Sequence, residues 1–482
     1  MEQDAIVAWM RNGHARTAAL TAAVRLGVLE RLTQTPADTA TVATECGITQ
    51  AAARVLTRFL HSGGVLMSPT PGTYAVAPVI TAEVFAGLTE AASEVAANWA
   101  AVGDAADLLR SGGAGGLAHI WAAIGPVSAD ASTGAAWALD TTRQGYLRCR
   151  AVSAAVELGL LTALRDGPRD AASLAAALEI DRGGVALGLD GMHRLGACER
   201  TGDKYQLGFA MSALLSTPRA TSAFELAAGL AHEFWAALGA LEDVARTGRL
   251  AFDLQDPAAA SRYYLRLARY NSLVFPGYLR LAETVAKAVE DRVATAEATI
   301  VDVGTGSGVW AAAFARAWPS CRVRLLDRGP VLAQAKANLS RLGVASRATF
   351  GEIELVGDAF GDGTADVLIL GQICHTQPEP TLPDLMRRCA DALRPGGLLL
   401  LCDSVLQDSG TAPVSYLDFA IKELVATGGA ILTDDAYRRL LADAGFTDVT
   451  LRRFGELDVF IGVVDPDRPH PTTRTAAPLV MP

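Results

Sequence analysis

The stretch that decides the fold is ATIVDVGTGSG, residues 298–308. An apolar, β-branched run that contains Asp302 leads into a turn with glycines at Gly304, Gly306 and Gly308. Glycines at such a turn let the backbone approach a ligand at the start of the following helix. The triplet alone is weak evidence for a ligand, because similar loops also bind dinucleotides. It predicts a binding loop at the edge of a sheet.

Around this loop, short β-runs alternate with helical segments. We predict strands at 298–304, 322–327, 348–352, 366–371, 398–404, 449–455 and 458–464. The intervening helices are predicted around 311–318, 331–342, 382–393 and 434–444. Alternation of this kind implies right-handed crossovers and a mostly parallel sheet, while the two-residue connection before the last strand forces an antiparallel hairpin. The C-terminal part is therefore predicted to be an α/β Rossmann-like domain that binds ligands at the carboxyl ends of its strands.

Two acidic residues at successive strand ends sharpen the ligand prediction. Asp327 ends the second strand, where a ribose diol would donate hydrogen bonds, and Asp358 follows the third strand beside Phe360, where it could contact an adenine amino group. An arginine clamp and a Walker lysine are both missing from these motifs, which suits a ligand without phosphates. With the LRPGG turn at 393–397, the pattern predicts S-adenosylmethionine as the cofactor.

A histidine follows the fourth predicted strand. His375 is the only histidine in the C-terminal domain proper, since His470 lies in the tail. Histidine acts as a base near neutral pH without a large pKa shift. A catalytic base is therefore one interpretation of His375, and a loop histidine bonded to the backbone is the other. Seven cysteines without metal-type spacing indicate reduced thiols and no metal site.

With these motifs, the chain resembles the bacterial and plant small-molecule O-methyltransferases over about residues 140–465. The matching motifs are VDVGTGSG (301–308), LLDRGPVL (325–332), VGDAF (356–360) and LGQICHTQPEP (370–380). The resemblance implies a winged-helix dimerisation domain, a Rossmann-like catalytic domain and S-adenosylmethionine as cofactor. It also implies that His375 is the general base that removes a proton from a substrate hydroxyl.

The chain departs from the pattern of this family at two places. Asp403 stands at the end of the fifth strand, where the family has a carboxylate, and is a candidate to orient the imidazole. The family also has a GG-x-E-R-T stretch, and this chain has Ile431 at the position of its acid. After the histidine, this chain has Thr376-Gln377 where the family has an acid and a tryptophan. Methyl transfer does not require this second carboxylate, because much of the catalysis comes from holding the reactants in line. A different reaction is also left open.

The first half of the chain contains an internal repeat. TAAVRLGVLERL (21–32) matches SAAVELGLLTAL (153–164) at an offset of 132. Two further matches follow in the same order, at offsets of 131 and 136: GTYAVAP (72–78) with DKYQLGF (203–209), and WAAVGDAADLLRSG (99–112) with WAALGALEDVARTG (235–248). We therefore predict tandem, mainly α-helical, winged-helix-like domains at 1–138 (copy one) and 139–250 (copy two).

Winged helices bind DNA through their third helix, but the third predicted helices of the two copies, at 49–64 and 181–197, have no dense basic face. The net charge of −10 also disfavours nucleic acid and anionic membranes as partners. A packing or dimerisation module is the favoured interpretation. Copy one could replace a partner subunit within a monomer, with Ala19, Leu20, Ala23, Val24, Gly27 and Val28 buried against copy two. Alternatively, it is an outer addition and copy two forms a homodimer.

The remaining segments complete the predicted organisation. Residues 251–290 form a helical linker, 291–466 the catalytic domain and 467–482 a disordered tail. By the resemblance, the linker lines the acceptor pocket, and its aromatic residues are either substrate contacts or ordinary core: Tyr263, Tyr264, Tyr270 and Phe275. A secretory signal and a membrane span are both missing from the pattern, so we predict a cytoplasmic location.

The leading functional hypothesis is a S-adenosylmethionine-dependent methyltransferase that acts on a hydroxyl or enolic carbon of an aromatic or polyketide-like secondary metabolite, of the kind made in antibiotic biosynthesis. The first alternative keeps the fold and cofactor but catalyses decarboxylation, hydroxylation or pericyclic rearrangement. The second alternative is a non-catalytic regulator with tandem winged helices.

Overall fold

The structure is a computed structural model that describes residues 3–125, 134–252, 254, 256–293, 297–407, 413–455 and 457–467. The chain divides into two compact units. Unit 1 comprises Met1–Phe252 and Ser409–Gly428, and unit 2 comprises Asp253–Asp408 and Gly429–Pro482. The predicted tail therefore lies outside the described residues, except for its first residue.

The first half of unit 1 is residues 3–125. Its elements are α1 (Gln3–Arg25), α2 (Val28–Gln34), β1 (Ala37–Asp38), α3 (Thr39–Cys46), α4 (Gln50–Ser62), β2 (Leu66–Met67), β3 (Thr73–Val76), α5 (Ala82–Gly103), α6 (Ala105–Ser111) and α7 (Ala118–Ala122). The three strands form a small antiparallel sheet in the order β1-β3-β2. Strands β2 and β3 form a hairpin, and β1 adds a third short strand to it.

The second half of unit 1, residues 134–252, has a similar order. Its elements are α8 (Gly134–Glu157), α9 (Leu160–Ala163), β4 (Arg169–Asp170), α10 (Ala171–Leu178), α11 (Arg182–Arg194), β5 (Cys198–Thr201), β6 (Lys204–Leu207), α12 (Phe209–Leu214), α13 (Pro218–Gly239) and α14 (Leu241–Thr247). Its sheet has the order β4-β6-β5. The predicted boundary between residues 138 and 139 lies within α8.

Side-chain caps explain where several of these helices begin. Asp38 accepts a hydrogen bond from Thr41 N at the start of α3, and Asp170 accepts one from Ser173 N at the start of α10, both at 2.8 Å. Such caps satisfy backbone N–H groups that the first helical turn leaves without partners. Thr49 and Asp181 cap α4 and α11 in the same way. The helices of the two halves therefore begin at corresponding positions.

Unit 2 and its flanking segments contain the remaining elements. These are α15 (Pro257–Ala288), β7 (Thr299–Val303), α16 (Val309–Ala317), β8 (Arg322–Asp327), α17 (Gly329–Arg341), β9 (Ala348–Glu352), β10 (Ala365–Gly371), α18 (Leu382–Ala392), β11 (Leu393–Asp403), α19 (Val414–Ala426), α20 (Asp434–Asp443), β12 (Phe446–Phe454) and β13 (Leu457–Val464).

The helix α19 belongs to unit 1, although sequence analysis places it in the catalytic domain. It packs on α1, α4, α13 and α14. Its apolar residues, Leu417, Ala420, Ile421, Leu424 and Val425, are buried. Burial of this face stabilises the position of α19 on unit 1.

The core of unit 1 joins its two halves. Helix α1 packs along α8, and Ala19, Leu20, Ala23 and Val28 are buried, whereas Val24 and Gly27 are half-buried. Small alanines on both helices let their backbones approach closely, in keeping with the dense packing of protein interiors.

The sheet of unit 2 has seven strands in the order β12-β13-β11-β10-β7-β8-β9. Strands β11, β10, β7, β8 and β9 are parallel, and β13 is antiparallel to both of its neighbours. This confirms the predicted mixed sheet and its final hairpin. Strand β11 begins earlier than predicted, because Leu393 already pairs with Ala365 before a register irregularity.

Alternating side chains of this sheet face two separate cores, as the period-two geometry of strands requires. Ile300, Val323 and Ile369 pack on one side with residues of α15, α16 and α17. Val301 and Leu368 pack on the other side with residues of α18 and α20. The chain leaves β7 towards β8 and later returns to β10 on the other side of β7, so the switch point lies between β7 and β10.

Candidate functional site

The glycine-rich loop connects β7 to α16 at this switch point. Gly304, Gly306 and Gly308 have φ angles of 65°, 54° and 78°, in the left-handed region that favours glycine. A Cβ atom on Gly304 would collide with the side chain of Ile373. A Cβ atom on Gly306 would meet no atom closer than 3.9 Å, so the space above this part of the loop is open. The loop is therefore a cradle of backbone atoms, and its binding of a ligand stays a prediction.

Asp302 lies beneath the cradle and is 1% exposed. Its Oδ2 accepts hydrogen bonds from Thr305 Oγ1 at 2.6 Å and from Ala311 N at 3.1 Å. Its Oδ1 is buried and has no hydrogen-bond partner among the described residues. Burial raises the pKa of Asp302 to about 6, because the charged form is poorly solvated there. A buried acceptor without a partner fits a cationic or hydrogen-bond-donating ligand.

Asp327, at the end of β8, lies against the same loop. Its Oδ2 accepts a hydrogen bond from Gly306 N, and its Oδ1 accepts one from Arg328 N, both at 2.8 Å. Burial raises the pKa of this carboxyl group. The structure therefore brings together Asp302, the three glycines and Asp327.

Asp358 and Phe360 lie in the segment between β9 and β10. Asp358 is exposed, and its Oδ2 accepts a hydrogen bond from Glu354 N at 2.8 Å. Phe360 is fully buried, and the guanidinium carbon of Arg388 lies 4.7 Å from the centre of its ring. Phe360 thus packs in the core, and its contact with an adenine stays a prediction.

His375 and Asp403 form a buried pair. His375 follows β10 and Asp403 ends β11, and these two strands are parallel neighbours. The ring Nδ1 of His375 lies 2.5 Å from Asp403 Oδ1, and His375 N donates to Asp403 Oδ2 at 3.1 Å. Ser404 N also donates to Asp403 Oδ1, at 2.6 Å. The carboxylate therefore fixes both the ring and the backbone of His375.

Tyr437 is a neighbour of this pair that the sequence analysis missed. It lies on α20, its hydroxyl is buried, and both burial and the Asp403 charge raise its pKa, so it stays a neutral phenol. Its place in a regular helical pattern gives no signal that distinguishes it from a core aromatic. Ile431, at the position of the missing acid, is buried.

The predicted acceptor residues lie on α15. Tyr263 and Tyr264 contact each other edge to face, with ring centres 5.2 Å apart, and the Arg328 guanidinium carbon lies 6.0 Å from the Tyr264 ring centre. Phe275 packs in the core with residues of α16 and the sheet. The side chain of Tyr270 lies outside the described residues. Tyr263 and Tyr264 are therefore near the end of β8, whereas Phe275 has a packing role.

All seven cysteines are free thiols. In the described part of the chain, no group of three or more histidine, cysteine or acidic side chains is arranged to hold a metal ion. Among the same residues, no helix is both long and apolar enough to span a bilayer.

The family model of the O-methyltransferase domain matches residues 281–447. The chain is 30% identical to acetylserotonin O-methyltransferase of Mus musculus over 339 residues, which cover 66% of this chain and 85% of the mouse protein. It is 29% identical to the mitomycin biosynthesis 6-O-methyltransferase of Streptomyces lavendulae, over 63% of this chain and 86% of that protein.

Solved structures share the fold. A mitomycin 7-O-methyltransferase matches with a TM-score of 0.55 and 25% identity, covering 65% of this chain and 93% of that one. Human N-acetylserotonin methyltransferase, solved in complex with S-adenosylmethionine, matches with a TM-score of 0.53 and 24% identity, covering 66% and 93%. The glycine-rich loop and the sheet order lead to the same assignment as these relatives. The chain is a member of the S-adenosylmethionine-dependent O-methyltransferase family.

Proposed function

We propose that this protein transfers the methyl group of S-adenosylmethionine to a hydroxyl group, or an enolic carbon, of an aromatic or polyketide-like secondary metabolite, with His375 as the general base. The observation that carries this proposal is the His375–Asp403 pair at the carboxyl ends of β10 and β11. Asp403 accepts a hydrogen bond from Nδ1–H, so the lone pair of the neutral ring resides on Nε2. This nitrogen takes the acceptor proton, and the Asp403 carboxylate stabilises the resulting imidazolium.

The cofactor is proposed to lie over the cradle. Asp302 Oδ1 would accept a hydrogen bond from its ammonium group, and Asp327 would accept hydrogen bonds from its ribose hydroxyls. Gly304, Gly306 and Gly308 allow its close approach, and Asp358 is proposed for its adenine. The core packing of Phe360 gives no support to its predicted contact with the adenine. When bound, it supplies an electrophilic methyl group on a sulfonium. The contribution of the chain is to orient the acceptor and to remove its proton.

The acceptor is proposed to lie beside Tyr263 and Tyr264, with Tyr270 as a further candidate. The edge-to-face tyrosine pair near Arg328 supports this position, because aromatic rings and a guanidinium can frame a flat molecule. The core packing of Phe275 gives no support to its predicted contact with the acceptor. Relatives named for mitomycin biosynthesis and for acetylserotonin support a small organic acceptor.

The test is the stoichiometry of turnover. The purified enzyme is incubated with S-adenosylmethionine and a panel of phenols and hydroxyquinones, and the products are separated by mass spectrometry. We expect a product heavier by one methylene and one S-adenosylhomocysteine per product. Omission of each component in turn serves as the control.

A non-methylating reaction is the second candidate, and the observation that favours it is Ile431. This buried residue stands where the family has an acid, so one orienting carboxylate is missing. Product formation that needs S-adenosylmethionine but releases no S-adenosylhomocysteine would establish this alternative. A non-catalytic regulator finds no support among the relatives, which are named as enzymes.

We further propose that the two halves of unit 1 are copies of one winged-helix-like module, within the boundaries 1–138 and 139–250, followed by a linker to about residue 290. Corresponding local features of the two halves support this proposal. Gly27 and Gly159 precede α2 and α9 with φ angles of 75° and 73°. His61 and His193, in the last turns of α4 and α11, each contact a backbone carbonyl five residues later through Nδ1 at 3.0 Å.

A further inference from the structure

Four aromatic rings form a column in the core of unit 1. The indoles of Trp99 and Trp235 stack with ring centres 4.6 Å apart, His14 stacks on Trp235 at 6.0 Å, and Tyr146 stacks on Trp99 at 5.9 Å. Nε1 of each tryptophan donates to the main-chain carbonyl of the other at 3.0 Å. His14 and Tyr146 occupy equivalent positions of the repeat, as do the two tryptophans. The column is therefore pseudo-symmetric, because exchange of the two halves would exchange His14 with Tyr146 and Trp99 with Trp235.

The two halves also exchange hydrogen bonds at the ends of their helices. Thr49 N, at the start of α4, donates to Ala245 O in α14 at 2.7 Å, and Asp181 N, at the start of α11, donates to Arg110 O in α6 at 3.2 Å. Each half thus contacts the helix that follows the tryptophan-bearing helix of the other half. A self-complementary contact of this kind is the isologous interface typical of two-fold dimers. Here both sides belong to one chain.

One face of this core holds α19. Arg16 on α1 forms a two-point ion pair with Asp418, through Nε at 2.7 Å and Nη2 at 2.6 Å. One turn earlier on α1, the Asn12 Oδ1 accepts a hydrogen bond from Lys422 Nζ at 2.8 Å. Asp418 is fully buried. Asn12 and Arg16 therefore anchor a helix that the chain inserts between β11 and α20.

The equivalent face is occupied by a different segment. The repeat equivalents of Asn12 and Arg16 are Gln144 and Arg148 on α8. Gln144 accepts from Gly125 N and donates to Ala123 O, and Arg148 Nε donates to Gly125 O, all at 3.0 Å. Trp121 of this segment is 1% exposed and contacts α11. The same two positions thus hold α19 on one face and residues 117–125 on the other.

We propose that residues 117–125 are an internal plug that closes the second α19-docking face, so that the protein is a monomer that contains one catalytic unit and one pseudo-symmetric pair of modules. Because both sides of this isologous interface belong to one chain, the chain has no free copy of the interface that could bind a second chain. The short connection between the halves gives them a high effective concentration for each other. This inference rests on the proposed repeat and not on the reaction, so failure of methyl transfer would leave it intact.

The first test is the mass of the full-length protein, by light scattering at micromolar and mass photometry at nanomolar concentration. We expect one species near 50.3 kDa at both. A stable species of twice that mass would overturn the proposal.

The second test compares two matched double variants by hydrogen exchange. Asn12→Ala with Arg16→Met is expected to accelerate exchange about tenfold in residues 413–428 and to leave 117–125 unchanged. Gln144→Ala with Arg148→Met is expected to do the reverse. An acceleration shared equally by both segments, or none in either, would show that the two faces are not equivalent docking sites. The mass measurement on the unmodified chain stands even if a variant folds poorly.

Discussion

Asp403 holds His375 at two points, the ring Nδ1 at 2.5 Å and the backbone N–H at 3.1 Å. A carboxylate in this arrangement selects the imidazole tautomer whose other nitrogen is basic. The pair joins two neighbouring parallel strands, so its geometry depends on the sheet and not on a loop alone. This rigidity suits a group that must meet a substrate hydroxyl within hydrogen-bond distance.

Replacing His375 by alanine is therefore expected to lower turnover by about a hundredfold or more, the usual scale for loss of a general base. Affinity for S-adenosylmethionine should persist, because the cradle is built from other residues. Turnover and calorimetric titration are measured on the same preparation. His119→Ala, at an exposed position on α7, is the matched control and should keep normal turnover. Near-normal turnover of the His375 variant would contradict the assignment.

Asp327→Ala should weaken S-adenosylmethionine binding, because each hydrogen bond between its carboxylate and the ribose contributes about 1.5–3 kcal/mol. Isothermal titration calorimetry measures the loss directly. Asp435→Ala, an exposed acid on α20, is the control and should bind normally. An unchanged affinity in the Asp327 variant would mean that the ribose lies elsewhere.

Cofactor affinity should also depend on pH through Asp302. Its pKa is raised to about 6, so the carboxylate is charged above that pH and protonated below it. The ammonium group of the cofactor needs the charged form, and affinity should fall by up to about tenfold per pH unit below 6. Asp302→Asn should bind more weakly and retain only the pH dependence that Asp327 contributes. A flat profile for the unmodified protein between about pH 5 and 7.5 would argue against this contact.

The tryptophan pair gives a prediction for stability. Trp99→Ala and Trp235→Ala should each lower the free energy of unfolding by about 3–5 kcal/mol, since each removes a stacked ring and a reciprocal hydrogen bond. Trp235 is buried and Trp99 is half-buried, so the loss at Trp235 should be the larger one. The double variant should lose less than the sum of the two, because the residues contact each other. Urea unfolding measures all three. Phe209→Ala, at a side chain that is 88% exposed, should change stability by less than about 0.5 kcal/mol.

The sequence predicts the sheet of unit 2 well because its strands are short, apolar and separated by clear turn signals. The predicted strand at 322–327 coincides with β8, and the last helix and hairpin lie within a few residues of their predicted positions. The glycine loop and Asp327 meet as expected, because both follow parallel neighbouring strands. Local pattern and topology together are sufficient for this part.

Tertiary packing decides what the sequence leaves open. The apolar face of α19 gives no sign that its partners are α1 and α13, which are both distant from it in the chain. Phe360 follows a motif that predicts a ligand contact, yet its ring is buried beneath Arg388. Arg16 and Arg148 look alike in sequence, and only the folded chain shows that one holds α19 and the other holds residues 117–125.

The ring column in unit 1 also bears on how this chain can change over evolutionary time. In a homodimer, one codon encodes both sides of a symmetric contact, so every substitution changes both sides at once. Here the two sides have separate codons. His14 faces Trp235 where Tyr146 faces Trp99, and Arg25 stands at the repeat position of Glu157. Each side can therefore accept substitutions that its counterpart does not share. The face of α1 can specialise for α19 while the equivalent face of α8 keeps its contact with residues 117–125.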